Sequence, residues 1–216
     1  MPKELFATAT AFLPQLRTLS SLHRASLNCQ GCDLYLRATQ TVFGEGANNA
    51  VFMLVGEQPG DKEDTEGHPF VGPAGKVLDE ALSAAGISRA DVYITNAVKH
   101  FNWAPDERGK RRIHKKPRYS EIQACRPWLD AEIEVVRPEV LICLGATAAQ
   151  ALLGKTFSVL RQRGTFVPSD LAPFVMATVH PSSILRARED RQQQMQAFVH
   201  DLTVAARHIE KLREAA

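Results

Sequence analysis

The chain has 216 residues, 44% of them hydrophobic, which suits one domain with a core of its own. Its net charge of +2 and pI near 8.4 neither require nor exclude a nucleic-acid partner, so the distribution of charge has to decide. No apolar run reaches the length of a membrane span, the N-terminus is a poor signal peptide, and four cysteines without secretion features point to a reducing compartment, the cytoplasm by default.

In chain order, residues 3–24 carry apolar side chains at helical spacing, and the helix should break near Pro14. The motif NCQGCDL at 28–34 ends that pattern, and 41–49 reads as a loop. Residues 51–55, VFMLV, form a short unbroken apolar run stopped by Gly56, Pro59 and Gly60, the signature of a buried parallel strand. GHPFVGPAG at 67–75 is a loop leading to a helix that starts at Pro73 and stops at Gly86. A second strand is expected at 92–95, ending in Asn96, and 105–117 has no apolar periodicity. Ser120 and Gln123 make a capping-box pattern for the next helix. Strands follow at 140–144 and 174–179, with a short helix after Gly145 and a long amphipathic helix through Met195, Phe198, Leu202, Ala205, Ile209 and Leu212.

Strands alternating with helices imply right-handed βαβ units. The expectation is a single three-layer α/β/α domain over residues 1–216, with a central four-stranded, mostly parallel sheet and a basic inserted loop at about 105–117. Such sheets bind ligands at the carboxyl ends of their strands. Four loops gather there. GEQPGDKED, NAVKH and HPSSILR concentrate polar groups, whereas LGAT is the least chemical, with Gly145 serving close packing.

RGKRRIHKKPR at 108–118 holds seven Lys or Arg and no acid. A run of this kind is commonly a solvated tail, but its place inside the domain, at the ligand edge, favours phosphate binding. His114 sits among these cations, which oppose its protonation and favour the neutral imidazole that acts as base or nucleophile. On composition alone, a phosphate-contacting or merely exposed histidine remains open.

Cys29 and Cys32 form a CxxC turn able to converge on zinc, an iron–sulfur cluster or a redox partner. Two more ligands are needed. Cys125 begins a helix, Cys143 lies inside an aliphatic strand and reads as a small hydrophobe, and His100 directly follows the second strand.

GEQPG, GHPFVGPAG, YITNAVK and HPSSILR, in that order, resemble the uracil-DNA glycosylase superfamily, especially its iron–sulfur family 4. The resemblance covers residues 29–186. Two departures, His100 where family 4 has a cysteine and the inserted GKRRIHKKP, look like the UdgX branch, which becomes covalently attached to uracil-containing DNA. The resemblance implies a [4Fe-4S] cluster on Cys29, Cys32, His100 and Cys125. It implies that Phe70 stacks on extruded uracil, Asn96 reads its O4 and N3 edge, Gln58 cradles the base, and His180 stabilises the departing anion. Ser182 and Ser183 would hold a phosphate, Leu185 and Arg186 would fill or flank the gap left by the flipped nucleotide, and Lys110, Arg111, Arg112 and Lys115 would hold the loop against the DNA backbone. The best-known family members carry Asp and Tyr where this chain has Gln58 and Gly60, so Glu57 is the nearest carboxylate.

The mechanism expected on that basis is excision of uracil followed by capture of C1′ by His114, with Glu57 holding the other ring nitrogen. The protein would act once, as a monomer, on uracil-containing DNA with single strands accepted, and release free uracil. A multiple-turnover glycosylase using His114 only for phosphate is the nearest rival. A cluster-bearing DNA-binding module without chemistry, or a redox carrier, are readings from other classes.

Overall fold

The computed structural model describes residues 8–215. Its centre is a sheet in the order β2 (Val92–Asn96), β1 (Phe52–Gly56), β5 (Val140–Leu144), β7 (Phe174–Thr178) and β6 (Phe166–Val167). The first four strands run parallel, in register Leu54 with Ile94 and Ile142, and Ile142 with Met176. Only β6 is antiparallel, and it raises the strand number from the expected four to five. A two-residue strand is too short to show alternation, so sequence periodicity could not mark it.

The apolar runs are buried on both faces, as a parallel sheet requires. On one face α3 (Pro73–Ala84) and α8 (Arg191–Glu214) pack Leu78, Leu82, Phe198 and Leu202 against Leu54, Ile94 and Ile142. On the other, α4 (Tyr119–Val136) and α5 (Ala146–Leu153) cover Met53, Val55, Leu141 and Cys143. Among the described residues no helix is long and apolar enough to cross a membrane.

Several boundaries differ from expectation. Residues 3–7 of the first expected helix lie outside the described residues, and the rest is a 3-10 turn at Ala9–Phe12 followed by α1 (Leu19–Ser26). α4 starts one residue before Ser120. Its N-terminus is closed by the Glu121 carboxylate, which accepts from the Arg118 N–H at 2.6 Å, rather than by a serine. The segment 105–117 is largely a hairpin: β3 (Trp103–Pro105) pairs antiparallel with β4 (Arg112–His114), with Trp103 opposite His114. Gly109, at φ +67°, turns its tip, where the Asp106 carboxylate accepts from the N–H groups of Lys110 and Arg111. A strand of three residues dominated by Arg, Ile and His has no apolar alternation to reveal it.

Chain direction reverses beside β1. The path goes outward to β2, then returns to β5 on β1's opposite side. The carboxyl ends of β1 and β5 therefore border a switch-point crevice, and the functional residues collect around it.

Candidate active site at the strand ends

A cleft of about 740 Å³ opens at the carboxyl ends of the parallel strands. Glu57, Gln58, Phe70, Asn96, His114, His180, Ser182, Ser183 and Arg186 all line it, so nine residues singled out in the sequence meet in one place.

Its floor is built from the core. Asn96 is the last residue of β2, paired with Gly56 of β1, and only 2% exposed. A Cβ on Gly56 would strike Asn96 Oδ1 and stand 2.7 Å from Phe70 Cζ, so glycine at this strand end lets the amide and the ring converge. Phe70 itself holds φ 56°, a left-handed conformation unusual for a bulky residue and tolerated where the surroundings fix it. Glu63 of α2 (Asp61–Glu66) ties the flanking loops by accepting from Gly60 N–H and, at 2.7 Å, from Gly72 N–H. Beneath Asn96, the buried Lys99 ammonium donates to the Asn96 carbonyl at 2.8 Å, to Thr95 Oγ1 and to Glu132. Lys99 and Glu132 are both fully buried, and removing one partner would strand the other's charge. Asn96 Oδ1 is buried without a hydrogen-bond partner. An unpaired buried acceptor is unfavourable unless a ligand supplies the donor.

His180 follows β7 and precedes α7 (Pro181–Arg186). The Ser182 N–H donates to His180 Nδ1 at 3.1 Å, which puts the ring proton of the neutral form on Nε2. Burial, with Arg186 and the His114 ring close by to oppose a further positive charge, lowers its pKa to about 4. The ring centroid lies 5.9 Å from that of Phe70. Gly145 was expected to serve helix–strand packing. Instead it makes room for this histidine: a Cβ there would lie 2.8 Å from His180 Cβ, and its φ of +90° suits glycine.

The hairpin forms the opposite wall. His114 is half exposed, with Nε2 3.4 Å from Glu57 Oε1 and its ring 6.1 Å from that of Phe101. The other Glu57 oxygen accepts from Thr147 Oγ1. Thr147 belongs to the LGAT loop judged least chemical, yet it orients the carboxylate facing His114. Its position directly across the switch point from β1 was the signal available.

Two side chains fasten the hairpin. Gln58 spends its whole amide on backbone, with Nε2 donating to the carbonyls of Asn102 and Lys115 and Oε1 accepting from Asn102 N–H. It therefore clips both legs of the hairpin instead of presenting a free amide to the cleft. Arg112 donates to Asp61, Asp64, Thr39 and Thr65, and its guanidinium lies over Phe101 and Trp103. Lys110 and Arg111 sit at the exposed tip and Lys115 beside Asn102, none of them lining the cleft. Lys116 does line it, and was not singled out in the sequence.

Behind the floor, Cys29, Cys32 and Cys125 share one buried cluster with Trp128. Each sulfur faces an N–H donor: Trp128 Nε1 at 3.2 Å from Cys29, Lys99 N at 3.2 Å from Cys125, and the Leu34 N–H at Cys32. Burial pushes the Cys32 thiol up to about 12 and raises Cys125 further. Donors aimed at three sulfurs suit metal-bound thiolates better than neutral thiols, which are weak acceptors. His100 Nε2 lies 3.1 Å from Thr41 Oγ1, whose proton is committed to the Ser26 carbonyl. Thr41 must therefore accept from Nε2–H, which leaves Nδ1 as the basic nitrogen, and burial lowers the ring's pKa to about 4. Among the described residues no three His, Cys, Asp or Glu side chains are drawn in tightly enough for a single ion. Three thiols and an imidazole are donors of the kind that hold zinc or an iron–sulfur cluster. Cys143 stands apart, inside β5.

Comparison with known proteins agrees with this geometry. The profile described as Uracil DNA glycosylase superfamily matches residues 43–203. A Type-4 uracil-DNA glycosylase of Thermotoga maritima is 38% identical over 184 residues, covering 85% of this chain and 90% of its own length. One from Archaeoglobus fulgidus is 34% identical, covering 82% and 88%. A Type-5 uracil-DNA glycosylase of Pyrobaculum aerophilum is 31% identical over 64% of each chain. With three-quarters of its length inside the family profile and its cleft residues at the expected strand ends, the chain belongs to the uracil-DNA glycosylase superfamily.

Proposed function

We propose that the protein excises uracil from DNA and is then captured by it, His114 forming a bond to C1′ of the sugar, as in the UdgX branch. The observation that carries the excision is the partnerless Asn96 Oδ1, an acceptor waiting for an N–H. Uracil offers N3–H to that oxygen and O4 to the amide's NH2. Cytosine reverses both groups and leaves like facing like, so it is rejected. The backbone extrudes the nucleotide into the cleft, where Phe70 stacks on the base.

As the C1′–N1 bond breaks, its electron pair leaves with uracil. The neutral His180, with its proton on Nε2, donates to uracil O2, where the negative charge develops. Positive charge at C1′ meets Glu57, whose carboxylate Thr147 holds. One His114 ring nitrogen then gives its lone pair to C1′, while the other ring N–H is held by Glu57, which fixes the tautomer and takes the proton. Free uracil gains its proton from solvent. The capture reading is supported by the 3.4 Å approach of His114 Nε2 to Glu57 Oε1 in a hairpin fastened at both legs. No carboxylate occupies the Gln58 position, and the Gln58 amide is occupied, so an activated water is poorly provided for.

Ser182, Ser183, Arg186 and Lys116 line the cleft toward the DNA backbone, while Lys110, Arg111 and Lys115 extend the positive surface of the hairpin. Cys29, Cys32, Cys125 and His100 would hold a [4Fe-4S] cluster. Such a group would supply a structural tie between the N-terminal segment, the end of β2 and α4.

The test is incubation with a uracil-containing single strand followed by a denaturing gel and peptide mass spectrometry. A band surviving SDS and heat, with the sugar mapped to His114, is expected. Abasic product in excess of protein would establish the multiple-turnover alternative.

A further inference from the structure

Beside the main cleft runs a smaller groove of about 250 Å³, lined by Lys116, Pro117, Tyr119, Ile122, Thr147, Gln150, Ala151 and Lys155. Lys116 and Thr147 line both, so the two spaces adjoin. Tyr119 opens α4 and is 53% exposed, a large aromatic ring offered to solvent beside a binding cleft. The Lys155 ammonium lies 3.8 Å from its ring centroid. No acid lines this groove, whereas two lysines do.

An exposed aromatic with cations and no carboxylate is the combination by which proteins hold single-stranded nucleic acid: the ring takes a base face and the ammonium groups take the phosphate. We propose that this groove is a subsite for the nucleotide next to the extruded uridine on the same strand, its base stacked on Tyr119 and its phosphate drawn to Lys116 and Lys155. The proposal rests on the glycosylase reading of the main cleft, which fixes where the neighbouring uridine lies. Thr147 acquires a second consequence, since the residue that orients Glu57 also borders the path of the adjoining backbone.

The experiment measures binding by anisotropy, using the full chain and oligonucleotides that carry 2′-fluoro-2′-deoxyuridine. The fluorine disfavours positive charge at C1′, so the base stays attached. The uridine is placed internally, at the 5′ end or at the 3′ end. Removing the neighbour on one side should weaken wild-type binding roughly tenfold, the loss typical of one base–aromatic stack. Tyr119→Ala should bind the internal site roughly tenfold more weakly and lose the dependence on that neighbour. Tyr119→Phe should behave as wild type, and Lys155→Ala should lower the salt slope by about 0.7 only when the neighbour is present. Wild-type behaviour of Tyr119→Ala on all three strands would overturn the proposal, as would an equal loss with and without the neighbour. If the wild type shows no preference for uracil over thymine, the glycosylase reading fails, and the Tyr119 comparison on the same strands still decides the groove.

Discussion

The two walls of the cleft are held in different ways. Asn96, Phe70 and His180 rest on strand ends whose side chains are buried on both faces, with Gly56 and Gly145 allowing their close approach. His114 stands on a strand of three residues, half exposed, fastened chiefly by the hydrogen bonds of Gln58 and Arg112, with the Arg112 guanidinium laid over Phe101 and Trp103. The core sets where the base sits, and polar clips set where the imidazole sits. Base recognition should therefore be hard to perturb without damaging the fold, whereas capture should be tunable. Changes in the floor ought to abolish all chemistry together, and changes in the clips ought to redistribute products.

The largest effect expected is in the second wall. His114→Ala removes the attacking nitrogen, so the covalent adduct should vanish from denaturing gels while the strand is still bound. If the variant releases free uracil, the two walls are separable. An undiminished adduct would mean that another residue is the nucleophile.

Next come the floor residues. Asn96→Ala and His180→Ala should each slow uracil release about a hundredfold or more in single-turnover assays, the typical loss for one preorganised donor. Binding to DNA without uracil should hardly change. A loss of affinity on both kinds of strand would mean that the floor holds the backbone rather than the base.

Smaller again is the effect at the clips. Gln58→Ala cuts three hydrogen bonds between the β1 loop and the hairpin. It should shift the ratio of adduct to free abasic product about tenfold toward the latter, only part of the roughly 3 kcal/mol that three net hydrogen bonds at about 1 kcal/mol each supply, because Arg112 still holds the hairpin. Uracil release should stay nearly constant. Parallel loss of adduct and release would instead give Gln58 the base-cradling role expected from the sequence.

What the sequence disclosed follows the same division. The four parallel strands were legible because unbroken aliphatic runs bounded by Gly and Pro leave few alternatives, and Asn96, Phe70 and His180 lie on or beside their ends. The hairpin was read as a loop because its partners are sequence-distant: Asp61 and Asp64 receive Arg112 across about fifty residues, and Gln58 reaches Lys115 across a similar span. A basic run reads as phosphate-binding until one of its arginines is seen committed to carboxylates. Thr147 escaped notice because a single hydroxyl in a Gly-Ala-Thr turn carries no pattern. Pairings that span the chain are invisible to periodicity, and the capturing wall consists of them.

The subtlest prediction concerns pH and the strand-end wall. His180 is partly buried, and desolvation lowers its pKa from 6.5 to about 4, so the folded protein excludes a proton that the unfolded chain accepts. Between those two values the unfolded state binds more protons, and stability must fall as pH falls from about 6.5 toward 4. Below about 4 the folded ring is protonated as well, and this contribution stops changing. Replacing His180 with Asn should flatten chemical-denaturation stability across that window by up to one proton's worth. An unchanged slope in that variant would mean that the ring takes up its proton in the folded protein as readily as in the unfolded chain, and that the strand-end wall does not hold it in the neutral form.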